Sequence, residues 1–221
     1  MSLILNIDTS GDLGSICLAD SGNPIQSAVN REQKDHASWI HPTISKLLCD
    51  TGFQISDLQA IAVTMGPGSY TGLRIGLSTA KGLCYVQKLP LIAVSTLTMM
   101  AHASRNEVCD LICPMIDARR MEVFTSLYNK QFEQLMPPQA LIVNENSFAD
   151  FLGQFQVLFM GNGSFKFRHI TSNPNALFSN IQANATDLAE LANNHFINSQ
   201  FVDLAYSEPL YIKNFYSLHT V

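Results

Sequence analysis

Two stretches of the chain repeat one arrangement, and this repeat constrains the fold more than any other feature. Residues 3–20 read LILNIDTSGDLGSICLAD, and residues 111–129 read LICPMIDARRMEVFTSLYN. Each is an apolar run that ends in Ile-Asp, followed by a short polar turn and a second apolar run, which is typical of a β-hairpin. An internal duplication of this kind indicates two related halves.

Strands and helices alternate after the first hairpin. We expect a helix over about residues 35–50, a buried strand at 58–65, a helix ending near Gln87 and a further strand at 89–96. This alternation is typical of an α/β fold. The sequence therefore predicts two α/β lobes of ribonuclease-H-like topology, each beginning with a hairpin that carries an Asp.

A polar segment, RNEVCD at residues 105–110, separates the two halves. We predict an N-terminal domain over residues 1–104 and a smaller C-terminal domain over residues 105–221, whose last segment packs back on the first domain. The second half shows fewer helices, one near 146–154 and one near 185–197. We therefore expect the second lobe to be a reduced copy of the first.

Charge and composition exclude several classes of protein. The formal net charge is −5, and Arg119-Arg120 is the one pair of adjacent basic residues. A chain that bound RNA by itself should carry a basic stripe. No apolar run approaches the ~20 residues of a membrane span, and five cysteines without a CxxC pair favour reduced thiols. We expect a cytoplasmic chain with no membrane partner and no metal site.

The segment TMGPGSYTGLRIGLSTAKG, residues 64–82, contains five glycines. It lacks the lysine that a phosphate-binding GxxxxGK[ST] loop requires, and Thr71 stands where GxGxxG needs its third glycine. Within the helix that follows, Gly72 and Gly76 lie on one small-sided face. Each glycine costs up to ~1 kcal/mol relative to alanine, so we expect a close neighbour there, either the chain's own first helix or a partner chain.

Two aspartates follow the first strands of the two halves. In two-lobed ATPases of the actin and sugar-kinase type, such a pair faces across a cleft and orients a hydrated magnesium ion. Asp8 and Asp117 are candidates for this pair, and Gly161 and Gly163 in MGNGS for the turn over an adenosine. The alternative is that both aspartates serve only their turns.

Five segments, in order along nearly the whole chain, resemble the bacterial TsaB (YeaZ) family: LILNIDTS, GPGSYTGLRIGLSTAKGL, LIAVSTL, MIDARRMEVF and EPLYIKNFY. The resemblance implies an actin-like ATPase fold and a role in forming threonylcarbamoyladenosine beside the anticodon of tRNA. The paralogous transferase, TsaD, carries two metal-binding histidines where this chain has Thr96 and Met100. Neither residue replaces imidazole as a metal ligand, so the resemblance implies a non-catalytic scaffold or activating subunit.

The resemblance also implies the partners. We expect a heterodimer with a TsaD-type transferase, a TsaE-type ATPase in the assembled complex, a homodimer when the chain is alone, and contact with tRNA through the complex. A vestigial cleft at Asp8, Asp117, Gly161 and Gly163 is expected to hold no tightly bound cofactor, with room for weak ATP or ADP binding. The predicted partner interface consists of Trp39, Thr43, Gly72, Leu73, Gly76, Leu77, Thr79, Ala80 and Leu83.

Two alternatives belong to other classes of protein. The first is an independent ATP-dependent phosphotransferase that uses Asp8 and Asp117. The second is a peptidase, against which the lack of metal histidines and of a nucleophile constellation argues.

Overall fold

A computed structural model of the chain describes residues 2–32 and 35–213. The strands are β1 (Leu3–Asp8), β2 (Gly14–Asp20), β3 (Asn23–Asn30), β4 (Ala60–Thr64), β5 (Leu91–Val94), β6 (Leu111–Asp117), β7 (Glu122–Asn129), β8 (Gln134–Ile142), β9 (Val157–Met160) and β10 (Ala176–Ser179). The helices are α1 (His36–Thr51), α2 (Tyr70–Gln87), α3 (Thr96–Ala103), α4 (Ala149–Leu152), α5 (Ser164–Arg168) and α6 (Ala185–Ile197), with a 3-10 turn at Ile55–Asp57. The end of the EPLYIKNFY segment, residues 214–216, lies outside the described residues.

Two five-stranded mixed sheets share one topology. The first has the order β3-β2-β1-β4-β5, and the second has the order β8-β7-β6-β9-β10. In the first, β1 is antiparallel to β2 and parallel to β4. In the second, β6 is antiparallel to β7 and parallel to β9. The prediction of two duplicated ribonuclease-H-like lobes is confirmed.

The second lobe is reduced in its helices and not in its strands. Helices α1 and α2 have 16 and 18 residues, whereas α4 and α5 have 4 and 5. The sheet of the second lobe therefore has far less helical cover. Among the helices in the described residues, none combines the length and the apolar composition that crossing a membrane would require.

Both faces of the first sheet are covered at its centre, which explains why β1 and β4 are buried along their whole length. Leu3, Leu5 and Ile7 point to α1 and α2. The alternate residue Ile4 points to the opposite face, where it joins Leu188 of α6. Helix α6 comes late in the sequence, yet it packs on the first sheet.

The chain after α6 also returns to the first sheet. Val202 forms a bridge with Leu91, and the Leu210 N–H donates to the Met65 carbonyl oxygen at 2.7 Å. These contacts attach the last described segment of the chain to the first lobe. The domain boundary between residues 104 and 105 stays a prediction.

Helix α3 lies between the two sheets. Met99 packs with the first sheet, while Leu97 and Met100 pack with Ile112 and Met160 of the second. One short helix thus contributes to two hydrophobic cores and fixes how the lobes meet.

Gly72 and Gly76 of α2 face a neighbour that the sequence did not indicate. A Cβ atom at Gly72 would overlap the Thr9 carbonyl oxygen, and one at Gly76 would overlap the Thr9 hydroxyl. Thr9 Oγ1 donates to the Gly72 carbonyl at 2.7 Å. The close neighbour is therefore the end of β1, and neither α1 nor a partner chain.

This contact corrects part of the predicted interface. Buried inside the chain itself are Gly72, Leu73, Gly76, Leu77, Thr79 and Ala80. A bulky substitution at Gly76 would therefore disturb the fold itself, because the position has no room for a Cβ atom.

We predict that Gly72→Ala destabilises the chain by about 1–3 kcal/mol, because overpacking a filled site forces the backbone apart. The control is Gly82→Ala in the same helix, where a Cβ would meet no atom within 4 Å. That control should stabilise the fold by up to ~1 kcal/mol. Urea denaturation measures both, and equal unfolding midpoints for the two variants would contradict the assignment.

Candidate functional site

A cavity of about 510 Å³ lies between the two lobes. The first lobe contributes the turn after β1, and α3 contributes Thr96, Met99 and Met100. The second lobe contributes the turn after β9 together with α5. Its wall includes Asp8, Ser10, Asp12, Ile116, Gly161, Asn162, Phe165, Arg168, Asn180 and Gln182.

Asp8 is only 4% exposed and belongs to the wall of this cavity. Its Oδ1 atom accepts hydrogen bonds from the Ser10 N–H at 3.0 Å, the Ser10 hydroxyl at 2.6 Å and the Thr64 hydroxyl at 2.7 Å. Burial raises the pKa of the Asp8 carboxyl, and these hydrogen bonds offset part of that rise. The carboxylate therefore joins the end of β1 to β4 and orders the hairpin turn.

Asp117 occupies the matching position on β6 but has different surroundings. It is exposed and does not belong to the described wall of the cavity. Its carboxylate accepts from Lys166 Nζ at 2.7 Å and from the Arg119 N–H at 2.6 Å. Partial burial alone would raise the pKa of Asp117, but Lys166 and the Arg119 N–H outweigh it and lower the pKa. The structure does not bring Asp117 to face Asp8 in the described cavity wall.

The predicted glycine turn lies against β6. Gly161, at φ +87°, lines the cavity, and a Cβ atom there would overlap the Met100 side chain. A Cβ at Gly163 would lie 2.9 Å from the Ile116 carbonyl carbon. Close packing on β6 and α3 accounts for both glycines without a ligand.

The wall of the cavity does not fit a magnesium-bound nucleoside triphosphate. Asp8 and Asp12 lie on the side of the first hairpin, and Arg168 is the sole Lys or Arg among the described wall residues. The second carboxylate of the predicted pair is held by Lys166. In the part of the chain that the structure describes, no three His, Cys, Asp or Glu side chains converge so as to hold a metal ion.

Sequence reasoning missed α5 and one polar atom of the wall. Helix α5 brings Phe165 and Arg168 to the cavity, but five residues are too few to show a helical period. The buried Thr96 hydroxyl has no hydrogen-bond partner in the described structure. The sequence feature that could have predicted this hydroxyl as part of the site is its position at the start of α3, directly after the strand LIAV.

The remaining predicted interface residues lie on the outer side of α1 and α2. The two helices meet where Thr79 Oγ1 lies 3.5 Å from His41 Nε2. Trp39, Thr43 and Leu83 are half-buried beside this contact. The structure therefore places these residues on one two-helix surface, while Gly72 and Gly76 face inward.

Comparison with solved structures defines the fold class. A Pseudomonas aeruginosa protein described as similar to the peptidase YeaZ superposes with a TM-score of 0.86 at 26% identity, covering 96% of this chain and 100% of that one. The activator of 2-hydroxyisocaproyl-CoA dehydratase from Clostridium difficile superposes with a TM-score of 0.54 at 12% identity, covering 90% and 97%. The chain has the duplicated, actin-like ATPase fold.

Sequence comparison defines the family. The sequence model of the TsaD family, tRNA N6-adenosine threonylcarbamoyltransferase, matches residues 29–210. The tRNA threonylcarbamoyladenosine biosynthesis protein TsaB of Bacillus subtilis is 37% identical over 72% of this chain and 70% of its own length. The Haemophilus influenzae protein of the same name is 28% identical over 96% and 93%. The chain belongs to the TsaB branch of this family.

We predict that Asp8→Asn makes the chain more stable than the wild type at neutral pH. A buried carboxyl with a raised pKa binds its proton more tightly in the folded state, so the wild type loses stability as pH rises through that folded-state pKa. The asparagine oxygen keeps the three acceptor contacts and does not ionise. Urea midpoints of both proteins, measured from below the ordinary carboxyl pKa up to neutral pH, should therefore diverge as pH rises. A constant difference across this range would refute the role of burial.

Proposed function

We propose that the chain is a non-catalytic subunit in tRNA threonylcarbamoyladenosine biosynthesis, and that it binds a TsaD-type transferase through the outer side of α1 and α2. The names of the relatives place TsaB in this biosynthesis. The observation that carries the docking proposal is Gly82, an exposed glycine in the middle of a helix with no atom near its Cβ position.

Gly82 differs from the other helical glycines in having no use inside the chain. A glycine in a helix interior costs up to ~1 kcal/mol of helix stability relative to alanine. At Gly72 and Gly76 this cost is explained by the close contact with Thr9, which leaves no room for a side chain. In the described structure, no such contact is found at Gly82. Close approach of a second chain supplies the missing reason.

Apolar side chains surround this glycine. Val86 is 71% exposed, and Ile75 and Leu83 are only half-buried although they touch the core. Residues 75, 79, 82, 83 and 86 follow the helical spacing of one face, and Trp39 of α1 adds an aromatic group beside it. We call Trp39, Thr43, Ile75, Gly82, Leu83 and Val86 the docking surface. An apolar centre with an aromatic group is typical of stable protein interfaces.

The state of the cleft supports a non-catalytic role. Asp8 is engaged with Ser10 and Thr64, and Asp117 is engaged with Lys166. Met100 packs between the lobes, where the resemblance places a metal-binding histidine of the transferase. We therefore propose that the chain contributes packing and not reacting groups, and that its cleft holds no nucleotide tightly.

One docking surface cannot hold two chains at once. We propose that the isolated chain pairs with a second copy through it, and that the TsaD-type transferase replaces that copy. A TsaE-type ATPase would then join the assembled complex, and tRNA would be bound by the complex.

We predict that Gly82→Arg prevents association with a TsaD-type partner and with a second copy while the monomer stays folded. Arginine favours the helix more than glycine does, but its charge would be buried at an apolar centre. Size-exclusion co-elution should show binding weakened at least about tenfold, or ~1.4 kcal/mol.

Gln154→Arg is the matched control, because it adds the same charge at an exposed position of the second lobe. It should co-elute like the wild type. Normal association of Gly82→Arg would refute the docking surface, and circular dichroism separates that result from misfolding.

We further predict that the complex with Asp8→Asn and Asp117→Asn still modifies tRNA when supplied with the transferase, the ATPase and threonylcarbamoyl-adenylate. Neither carboxylate has a reacting role in the proposal, so the yield of modified nucleoside should match that of the wild type. The phosphotransferase alternative requires the opposite result. It would be favoured by ATP turnover of the purified chain that these substitutions abolish.

A further inference from the structure

We propose that the turn between β6 and β7, with Arg119 and Arg120, is a phosphate-binding site for RNA that this chain adds to the assembled complex. The inference rests on the proposed function, in which the complex acts on tRNA. It concerns a face of the second lobe, away from the docking surface on α1 and α2. We call Arg119 and Arg120 the arginine turn.

The backbone of this turn is unfavourable for the residues it carries. Arg119 and Arg120 have φ of 70° and 48°, the left-handed region that costs a non-glycine residue roughly 1–2 kcal/mol. The turn is closed by hydrogen bonds of 3.1 Å from the Ala118 N–H to the Glu122 carbonyl and from the Glu122 N–H to the Arg119 carbonyl. Glycine or asparagine would suit these positions better.

Within the described part of the chain, the arginine side chains form no polar contact that offsets this cost. Both residues are exposed. Across residues 2–32 and 35–213, neither guanidinium has a hydrogen-bond or ion-pair partner. Two consecutive strained residues without such a partner motivate the hypothesis that the turn acts outside the fold.

The acidic residues next to the turn are already neutralised. Lys166 lies 2.7 Å from the Asp117 carboxylate, and Lys213 lies 2.6 Å from that of Glu122. Among the residues that the structure describes, the two arginines therefore have no acidic partner, in a chain whose net charge is −5. Planar guanidinium groups bind phosphate oxygens in pairs, which makes arginine the side chain that recognises phosphate most specifically.

An exposed ring on α5, the helix that contacts the turn through Lys166, favours RNA over an acidic protein segment. Lys166 Nζ also donates to the Glu122 carbonyl at 2.8 Å, so α5 lies against the turn. Phe165, the preceding residue of α5, is 49% exposed. Single-stranded RNA is recognised by stacking of its bases on aromatic rings and guanidinium planes together with contacts to its phosphates. An acidic peptide has no bases to stack.

The size of the site explains why the isolated chain lacks a basic stripe. Two arginines contact about two phosphates, and the acidic remainder of the chain repels RNA. The site therefore adds to the RNA affinity of a complex whose other subunits supply further contacts.

The test is the double variant Arg119→Asn/Arg120→Gly, which removes both charges and places residues suited to a left-handed backbone. Fluorescence anisotropy with an unmodified tRNA transcript is measured for the complex with a TsaD-type transferase and for the chain alone, from about 50 to about 200 mM salt. We expect tRNA affinity to fall about tenfold at the lowest salt, and the slope of log K against log salt to fall by about 1.4 for two lost phosphate contacts.

The control Lys46→Asn/Lys88→Gly also removes two exposed charges, and Lys88 shares the left-handed backbone at φ 56°. It should leave the salt slope unchanged. The thermal midpoint of the arginine variant should equal or exceed that of the wild type, which a structural role for the arginines would not allow.

Unchanged tRNA affinity and slope in the arginine variant would overturn the proposal. The proposal would also be overturned if the arginine variant lost transferase binding and kept its tRNA binding, because the turn would then recognise a protein. If the wild-type chain fails to bind the transferase at all, the proposed function fails. In that case the titration of the chain alone at low salt still decides the role of the arginine turn.

Discussion

The packing of α3 between the two sheets is the constraint on which the rest of the structure depends. Met99 completes the core of the first lobe, and Leu97 and Met100 complete that of the second. Burial of each such side chain stabilises the fold by about 1.5–3 kcal/mol. Because one helix serves both cores, a residue such as Met100 cannot become a polar metal ligand without a loss of packing. Met100, which stands where the resemblance places a histidine of the transferase, is one of the residues that hold the lobes together.

Much of the fold followed from periodicity, and the errors have identifiable causes. The hairpins, the long helices and α6 were predicted because apolar residues recur with the period of each element. No element was predicted over residues 134–142, which contain Pro137 and Pro138. These residues form β8, which lies at the edge of its sheet, where proline removes no ladder hydrogen bond that the sheet needs. The segments α5 and β10 have 5 and 4 residues, which is too short for a period.

The candidate sites were harder to predict because a sequence does not show which neighbour approaches a residue. Gly76 and Gly82 lie in one helix, but the first faces Thr9 and the second faces open space. Likewise, Asp8 and Asp117 end equivalent strands, and their different roles come from Thr64 and Lys166, which lie far away in sequence. The internal duplication predicted two aspartates with equivalent roles. Their tertiary contacts differ, and so do their roles in the structure.

The shortening of helices in the second lobe explains why its hairpin turn differs from that of the first. The first turn lies under the start of α2, where the Ser69 N–H donates to the Ser10 carbonyl at 2.7 Å and Thr9 is buried. Small and polar residues are required there, since any larger group would meet α2. The equivalent turn after β6 has only the five residues of α5 beside it, so Arg119 and Arg120 remain exposed. Loss of the long helix removed the steric limit on that turn, and long charged side chains became compatible with the fold at this position.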